Sequence, residues 1–283
     1  MSQRYDFVRE EGILQDLNAH GRVVVNDLAE RLGVSAVTIR KDLATLEERS
    51  LLRRVRGGAV ASSTGEEGAF AERLRKDANT KREIAREAAQ LVPDGSVIAM
   101  DSSTTTYYMA LELLDRRDLI VITYGMRVAT LFMDHSRATV IMPGGVLRRA
   151  SASMVGAISN VMEGRGRIDM GFFGVASLSL ELGLLELSNE EAFTKQGLVA
   201  ATDAVYGLFT SSKINSFGLH TFADVDTLAG LYTDEHADDS FVSKWEARGV
   251  PVHRVAGTGA ILDDSIRAQQ AVNGRSRDES GDE

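Results

Sequence analysis

The sequence predicts an α/β protein of two domains, in which a small N-terminal domain precedes a larger one built on a mainly parallel sheet. Three observations support this. The 283 residues are about twice the roughly 150 of one typical domain. A glycine-rich, polar stretch at 57–68 interrupts the apolar pattern. Beyond it, short apolar runs alternate with helical segments, which is typical of a parallel sheet covered by helices.

These patterns predict four segments: a first domain over 1–58, a linker over 59–78, a second domain over 79–262 and a disordered tail over 263–283. The tail is predicted because it has almost no bulky apolar residues. No cysteine occurs, which excludes disulfide frameworks, zinc–thiolate sites and cysteine nucleophiles. Residues 1–12 lack the apolar core of a signal peptide, and no apolar run approaches the roughly 18 residues of a membrane span. We therefore expect a cytoplasmic protein with no membrane partner.

The formal net charge of -9 argues at first against a nucleic-acid partner. However, residues 1–60 carry ten basic and nine acidic residues, so the acidic excess belongs to the rest of the chain. Residues 31–56 alone carry seven basic and three acidic residues. Such asymmetry is typical of a nucleic-acid-binding module joined to a different domain.

The first domain is predicted to hold two short helices joined by a tight turn, after an earlier helix over 4–20. Asn26 can cap the first of the pair, Gly33 ends it, and Ser35 can cap the next. The buried stripe of that last helix is formed by Ile39, Leu43 and Leu46.

Small and basic side chains occupy the other face of that last helix. The N-terminal part of a helix-turn-helix recognition helix must enter a major groove about 12 Å wide, and long residues there need donors. The run 51–56 is predicted as a wing strand that pairs with 23–25 and lies along phosphates. The alternative is a solvated face of a small helical domain. The predicted contacts with double-stranded DNA are Ser35, Val37, Thr38, Arg40, Lys41, Thr45, Arg53, Arg54 and Arg56.

A longer stretch of this domain resembles a known signature. VSAVTIRKDL at 34–43, Leu46-Glu47 and the run 51–59 resemble the N-terminal signature of the DeoR family of bacterial transcription regulators. The chain departs from it at Lys41, Ser50 and Arg56, where the family usually has Arg, Gly and His. The resemblance implies a winged helix-turn-helix that binds operator DNA. Because such proteins generally read two half-sites, we expect a homodimer or homotetramer.

Seven strands are predicted in the second domain, at 97–100, 119–123, 139–142, 170–175, 205–210, 228–232 and 252–255. Helices are predicted between them at 105–114, 126–133, 155–162, 190–202 and 240–248. Ligands of such sheets bind outside the carboxyl ends of strands, and polar residues follow four of these strands. A run of hydroxyls at a helix N-terminus suits a phosphate, glycines allow close approach and a lysine supplies charge. The predicted contacts are Asp101, Ser102, Ser103, Thr104, Thr105, Thr123, Tyr124, Gly144, Gly145 and Lys213.

The resemblance to the DeoR family extends to about residue 258. It implies a sensor domain similar in fold to ribose-5-phosphate isomerase that binds a phosphorylated sugar, and it adds Glu191 to the effector-binding residues. Helix spacing leaves open an ion pair between Glu191 and Lys195 instead. Ser103, Tyr124 and Thr210 depart from the family pattern at the expected pocket, so the effector's identity stays open.

No cofactor, metal site or catalytic residue is predicted. The glycines at 164–166 form only a fragment of a dinucleotide motif. The isomerases use a carboxylate general base in a loop after a strand, whereas 174–180 contains no acid. We predict a transcription regulator, a repressor of a carbohydrate-metabolism operon that a phosphorylated sugar releases or modulates. The alternative is a sugar-phosphate isomerase with an accessory DNA-binding module.

Overall fold

The computed structural model of the protein describes residues 9–10, 12–14, 16–17, 22–48, 52–61, 70–157 and 166–257. Of the helix predicted over 4–20, the described residues are helical. The predicted tail lies outside this part of the chain, as do 158–162 of the helix predicted over 155–162.

The first domain is a small helical core closed by a three-stranded sheet. Its helices are α1 (Val25–Leu32) and α2 (Ala36–Glu48), and Gly33 ends α1 in the left-handed conformation. The apolar stripe of α2 is fully buried, as predicted, in a cluster that includes Leu17 and Leu28. Burial of this stripe fixes which face of α2 points outward.

The strands of the wing pair differently from the prediction. Strand β1 (Arg22–Val24) pairs with β3 (Gly58–Ala61), and β3 pairs in turn with β2 (Leu52–Val55), so β3 lies in the centre of the sheet. The predicted pairing of β2 with 23–25 is therefore wrong. Strand β3, apart from Gly58, falls inside the range predicted as a linker, because its small residues suggested a break although Ala59 is fully buried. The helix α3 (Phe70–Arg75) lies in the same range.

The second domain contains a seven-stranded parallel sheet, which confirms the predicted fold class. In chain order its strands are β4 (Val97–Met100), β5 (Ile120–Thr123), β6 (Thr139–Ile141), β9 (Ile168–Gly174), β12 (Thr202–Leu208), β14 (Leu228–Asp234) and β15 (Val252–Val255). Their spatial order is β15-β14-β12-β9-β4-β5-β6, and every neighbouring pair is parallel. From β4 the chain first runs outward through β5 and β6 and then resumes on the other side at β9. The boundary between β4 and β9 is thus the topological switch point of the sheet.

Helices cover both faces of this sheet. One face packs against α4 (Ala78–Ala89), α5 (Thr104–Glu112) and α6 (Met126–His135) in a core that includes Ile84, Met109 and Phe132. The other face packs against α7 (Asn189–Ala200) and α8 (Asp239–Glu246) around Leu198 and Trp245. Adjacent strand residues alternate between the two cores, so the sheet is buried on both sides.

Two small antiparallel sheets were not predicted. The hairpin of β7 (Val146–Arg148) and β8 (Ser153–Val155) stands where the sequence pattern suggested a loop and the start of a helix. A second sheet joins β10 (Ser177–Ser179), β11 (Gly183–Glu186) and β13 (His220–Ala223). Within the described ranges, no helix has the length and apolar character that a membrane crossing requires.

Candidate functional site

The outward face of α2 presents the side chains predicted to meet DNA. Val37 is 72% exposed, and Arg40 and Lys41 are also exposed. Ser35 caps the helix, since its Oγ accepts a hydrogen bond from the backbone N–H of Thr38 at 3.1 Å. Small side chains at the start of a firmly capped helix, followed by two cations one turn later, suit insertion into a major groove.

The arginines of the wing differ from one another. Arg54 is tied to α2, because its Nε lies 2.7 Å from Glu47 Oε2 and its backbone N–H donates to Glu47 Oε1 at 2.8 Å. Arg56 is exposed in the turn between β2 and β3. The side chain of Arg53 lies outside the described part of the chain. Arg54 thus sets the position of the wing against α2, while Arg56 points to solvent.

A buried carboxylate on α2 pairs with an arginine of the preceding helical segment. Asp42 is 6% exposed and accepts two hydrogen bonds from Arg9, at 2.6 Å from Nε and 3.0 Å from Nη2. This two-pronged pair holds the recognition helix against the preceding helical segment. Asp42 therefore has a structural role and does not meet DNA.

A cavity of about 720 Å3 opens at the topological switch point of the second domain. Its wall combines the carboxyl ends of β4, β9 and β12 with the segment that follows β12. Of the predicted effector residues, the ones that line it are Asp101, Ser102, Ser103, Thr104, Thr105, Glu191 and Lys213. The volume suits a drug-sized or metabolite-sized molecule.

Asp101 organises the inner end of this cavity. Its Oδ1 accepts from the backbone N–H of Ser103 at 2.9 Å and from the Thr106 hydroxyl at 2.7 Å. Its Oδ2 accepts from the backbone N–H of Gly174 at 2.8 Å. A Cβ on Gly174 would lie 2.4 Å from Ser103 Cβ, so only glycine lets β9 approach the β4 loop this closely. Ser103 in turn caps α5 through the N–H of Thr106.

Lys195 is buried among carboxylates beside Asp101. Its Nζ lies 2.7 Å from Asp101 Oδ2 and 2.5 Å from Glu186 Oε1, and it donates to the carbonyl of Gly174 at 2.6 Å. Burial alone would lower the pKa of Lys195, but the two carboxylates outweigh it and raise the pKa above its usual value. Lys195 is therefore a permanently charged link between β4, β9 and β11.

Glu191 ties the β7–β8 hairpin to the cavity. Its Oε1 accepts from Arg148 at 3.0 Å and from the Ser153 hydroxyl at 2.6 Å, and its Oε2 lies 3.4 Å from the Ser102 hydroxyl. The sequence left open an ion pair between Glu191 and Lys195, but Glu191 pairs with Arg148 and Lys195 pairs with Asp101 and Glu186. Both residues lie at the cavity wall and are 4% and 2% exposed.

Basic residues also line the cavity. Lys81, Lys213, Arg73 and Lys76 all line it. Lys81 is half-buried and donates to the carbonyls of Arg73 at 2.5 Å and Lys76 at 2.6 Å. Burial, followed by repulsion from Lys213, Arg73 and Lys76, lowers the pKa of Lys81 to about 8, although Asp77 opposes this. An incoming anion would relieve that repulsion.

Both halves of the chain match profiles of one protein family. The profile of the DeoR-like helix-turn-helix domain matches residues 9–64, and that of the DeoR C terminal sensor domain matches residues 76–235. The chain belongs to the DeoR family.

Curated relatives of this DeoR-family protein are named as regulators. It is 30% identical over 233 residues to the L-fucose operon activator of Haemophilus influenzae. The aligned region covers 82% of this chain and 93% of the relative. It is 28% identical over 226 residues to the glycerol-3-phosphate regulon repressor of Escherichia coli K12, covering 80% and 90%. Among solved structures it is similar to a ribose 5-phosphate isomerase of Methanocaldococcus jannaschii, at 16% identity and a TM-score of 0.38, over 49% of this chain and 55% of that one.

Four predicted effector residues of the DeoR-family chain do not line the cavity. Thr123 ends β5, Tyr124 follows it, and Gly144 and Gly145 follow β6, on the side of β4 away from β9. The β7–β8 hairpin covers these strand ends: Met154 N–H donates to the Tyr124 carbonyl at 2.8 Å, and a Cβ on Gly145 would lie 2.2 Å from the Val155 carbonyl oxygen. Tyr124 is fully buried, and burial together with the Glu191, Asp101 and Glu186 carboxylates raises its pKa well above the usual value.

Several residues that line the cavity were not predicted from the sequence. Glu186 and Phe217 lie in or beside the unpredicted sheet of β10, β11 and β13. Lys81 was not among the residues predicted to bind the effector. Lys195 was considered only as a partner of Glu191, four residues away. Its actual partners, Asp101 and Glu186, are 94 and 9 positions distant, and no local pattern connects them to it.

Proposed function

We propose that this DeoR-family protein is a repressor of a carbohydrate-metabolism operon whose affinity for operator DNA is altered by a phosphorylated sugar. The observation that carries the proposal is the cavity at the switch point of the sheet. It joins a helix N-terminus rich in hydroxyls to a pair of lysines, both of which suit a phosphate.

The DNA-binding part of the proposal is supported by the outer face of α2. Arg40 and Lys41 are exposed beside Val37, and Arg56 is exposed in the wing turn. We assign base contacts to Arg40 and Lys41 and phosphate contacts to Arg56. Ser35, Thr38 and Thr45 hold the helix geometry, because each of their hydroxyls is engaged within α2 or its cap.

The ligand would lie with its phosphate toward Lys81 and Lys213 and the N-terminus of α5. The sugar hydroxyls would then face Ser102, Glu186 and Glu191 on the inner wall. Hydroxyls donate well to carboxylates, and the ion pairs with Lys195 and Arg148 hold these two carboxylates in place. This wall therefore orients a polyol, while the lysines select its anionic group.

We also propose that the protein is not an enzyme. The buried carboxylates of the cavity, Asp101, Glu186 and Glu191, are each ion-paired with Lys195 or Arg148. A general base needs a carboxylate free to take a proton from the substrate. Glu181, the first acid after 174–180, is exposed in the turn between β10 and β11 and does not line the cavity.

Thermal unfolding with a panel of small molecules tests the ligand class, since a compound that binds only the native state raises the melting temperature. The panel comprises ribose 5-phosphate, fructose 6-phosphate, glycerol 3-phosphate and inorganic phosphate, with free ribose and fructose as controls. We expect at least one sugar phosphate to raise Tm more than inorganic phosphate does, and Lys213→Ala to abolish that increase. Lys244→Ala, which removes an exposed lysine from α8, is the matched control.

DNA binding is tested separately by selecting operators from random double-stranded DNA with the intact protein. We expect enrichment of a sequence with two related half-sites, as a dimeric or tetrameric reader requires. Absence of any enriched sequence would contradict the regulator proposal, and conversion of a sugar phosphate to its isomer would contradict the non-enzymatic one.

A further inference from the structure

The segment that joins β12 to β13 contributes to the cavity wall along most of its length. A short 3-10 helix, Ser211–Lys213, begins it, and residues 212–217 all line the cavity. Any molecule held by Lys213 therefore touches the same short segment that ends in Phe217.

This segment is anchored at both ends. At its start, the Ser211 backbone N–H donates to the buried Asp234 carboxylate at 2.6 Å. At its end, the Ser177 hydroxyl donates to the Ser216 carbonyl at 2.6 Å, and the Leu219 N–H donates to the Glu186 carbonyl at 2.8 Å. Glu186 is also the carboxylate that Lys195 holds, so the segment is tied to the charged network of the inner wall.

Phe217 reaches from this segment to the other domain. Its ring packs against the apolar core of the first domain, the cluster that contains Ile39, Leu43 and Leu46 of α2. The same residue lines the cavity. One side chain thus contacts both the ligand cavity and the core that supports the recognition helix.

We propose that Phe217 transmits occupancy of the cavity to the DNA-binding domain. The inference rests on the proposed function, because it assumes a ligand in the cavity and DNA on α2. A ligand that draws the segment 212–217 toward itself changes where Phe217 seats against the first domain. The position of α2 relative to the second domain then follows the state of the cavity.

Thermodynamics sets what this coupling must look like. A ligand changes DNA affinity only by the difference between its affinities for the DNA-competent and DNA-incompetent arrangements. Removal of the Phe217 ring should remove this difference, whatever it does to ligand affinity in the absence of DNA. The contact does not determine whether the ligand raises or lowers DNA affinity, but it predicts that the coupling is lost when the ring is removed.

The test measures the coupling factor, the ratio of operator Kd with and without saturating sugar phosphate. It uses the full-length protein, the selected operator and the sugar phosphate that gives the largest thermal shift. The variants are Phe217→Ala, Phe217→Leu, which keeps an apolar contact, and Leu182→Ala, which removes an exposed side chain from a nearby turn. Ligand Kd of each variant is measured without DNA.

We expect a coupling factor of about five or more in the wild type and in Leu182→Ala, and a factor near one in Phe217→Ala. Phe217→Leu should retain most of it. Ligand Kd should stay within about twofold in Leu182→Ala, a margin well below one tenfold step in affinity. A weaker ligand Kd in a Phe217 variant raises the concentration needed for saturation and leaves the coupling factor as the quantity compared. If Phe217→Ala retains the full coupling factor, the inference fails while the proposed function stands. If no sugar phosphate binds the wild type, or if binding leaves operator Kd unchanged, both fail.

If Phe217→Ala does not fold, hydrogen exchange of wild-type α1 and α2 decides. Saturating ligand should change amide exchange there by about fivefold or more, and unchanged exchange would overturn the inference.

Discussion

The ammonium of Lys195 lies 2.7 Å from the Asp101 carboxylate, and both side chains are almost fully buried. Asp101 directly follows β4, whereas Lys195 lies on α7, so the pair joins the two sides of the topological switch point. Asp101 also receives the N–H groups of Ser103 and Gly174. The shape of the cavity therefore depends on a charged centre that the ligand itself need not touch.

Replacement of Lys195 by Met tests how much this charged centre contributes to the free energy of unfolding. The change leaves the buried carboxylates of Asp101 and Glu186 without their cation, so we expect the free energy of unfolding to fall by about 3–5 kcal/mol. Urea unfolding monitored by circular dichroism measures it. Arg117→Ala, which breaks an exposed pair with Asp94, should cost less than about 1 kcal/mol. Equal losses in the two variants would contradict the assignment.

Gly174→Ala tests the close approach of β9 to the β4 loop. The new Cβ would lie 2.4 Å from Ser103 Cβ, so the loop must move, and we expect a loss of about 1–3 kcal/mol together with a smaller ligand-induced rise in Tm. Gly230→Ala is the matched control, because its Cβ would meet Tyr206 at an ordinary 3.5 Å. A Gly174→Ala variant as stable and as responsive as the control would show that the approach is not needed.

The pH dependence of ligand binding tests the role of Lys81. Its pKa of about 8 means that it loses its proton as pH rises through that value, whereas a bound phosphate dianion would hold the proton. A phosphate monoester, whose second pKa is about 6, stays largely dianionic over the pH range of the measurement. Ligand affinity should therefore fall about tenfold from about pH 7 to about pH 9. Isothermal titration calorimetry measures this.

Two variants decide whether Lys81 causes the fall. Lys81→Met should bind more weakly near neutral pH and show almost no further loss at higher pH. Lys244→Met should keep the wild-type profile. An unaltered profile in Lys81→Met would assign the titration to another group.

Substitutions on the two DNA-facing elements should differ in kind. Arg40→Ala should cost about 1–3 kcal/mol on the selected operator and little on random DNA, because a base contact is lost. Arg56→Ala should weaken binding to both and reduce the slope of log K against log salt by about one. Fluorescence anisotropy at several salt concentrations measures both. Arg137→Ala, an exposed arginine of the second domain, should change neither.

The sequence predicted the fold wherever local pattern and burial agree. All seven strands of the parallel sheet were found, because the five inner strands are largely buried apolar runs and the two edge strands, β6 and β15, still carry β-branched residues. The hairpin of β7 and β8 was missed because Val146 and Leu147 of β7 are exposed, so this strand has no buried apolar face that a local pattern could reveal. Strand β3 was missed because Gly58 and Ala59 carry no side chain large enough to signal burial.

The site was predicted in part for a similar reason. Asp101 to Thr105 follow β4 and were found from the strand end alone. Which strand ends share the cavity depends on the strand order, and no local pattern revealed that β9 returns beside β4. Tyr124 and Gly145 were therefore grouped with residues from which the sheet order separates them.

The most direct test of the two-domain account is one thermodynamic cycle in the wild-type protein. Operator Kd is measured with and without the sugar phosphate, and sugar-phosphate Kd is measured with and without the operator. The account predicts that both ratios differ from one by about fivefold or more and are equal, as linkage requires. Tight binding of both molecules with neither affecting the other would contradict it.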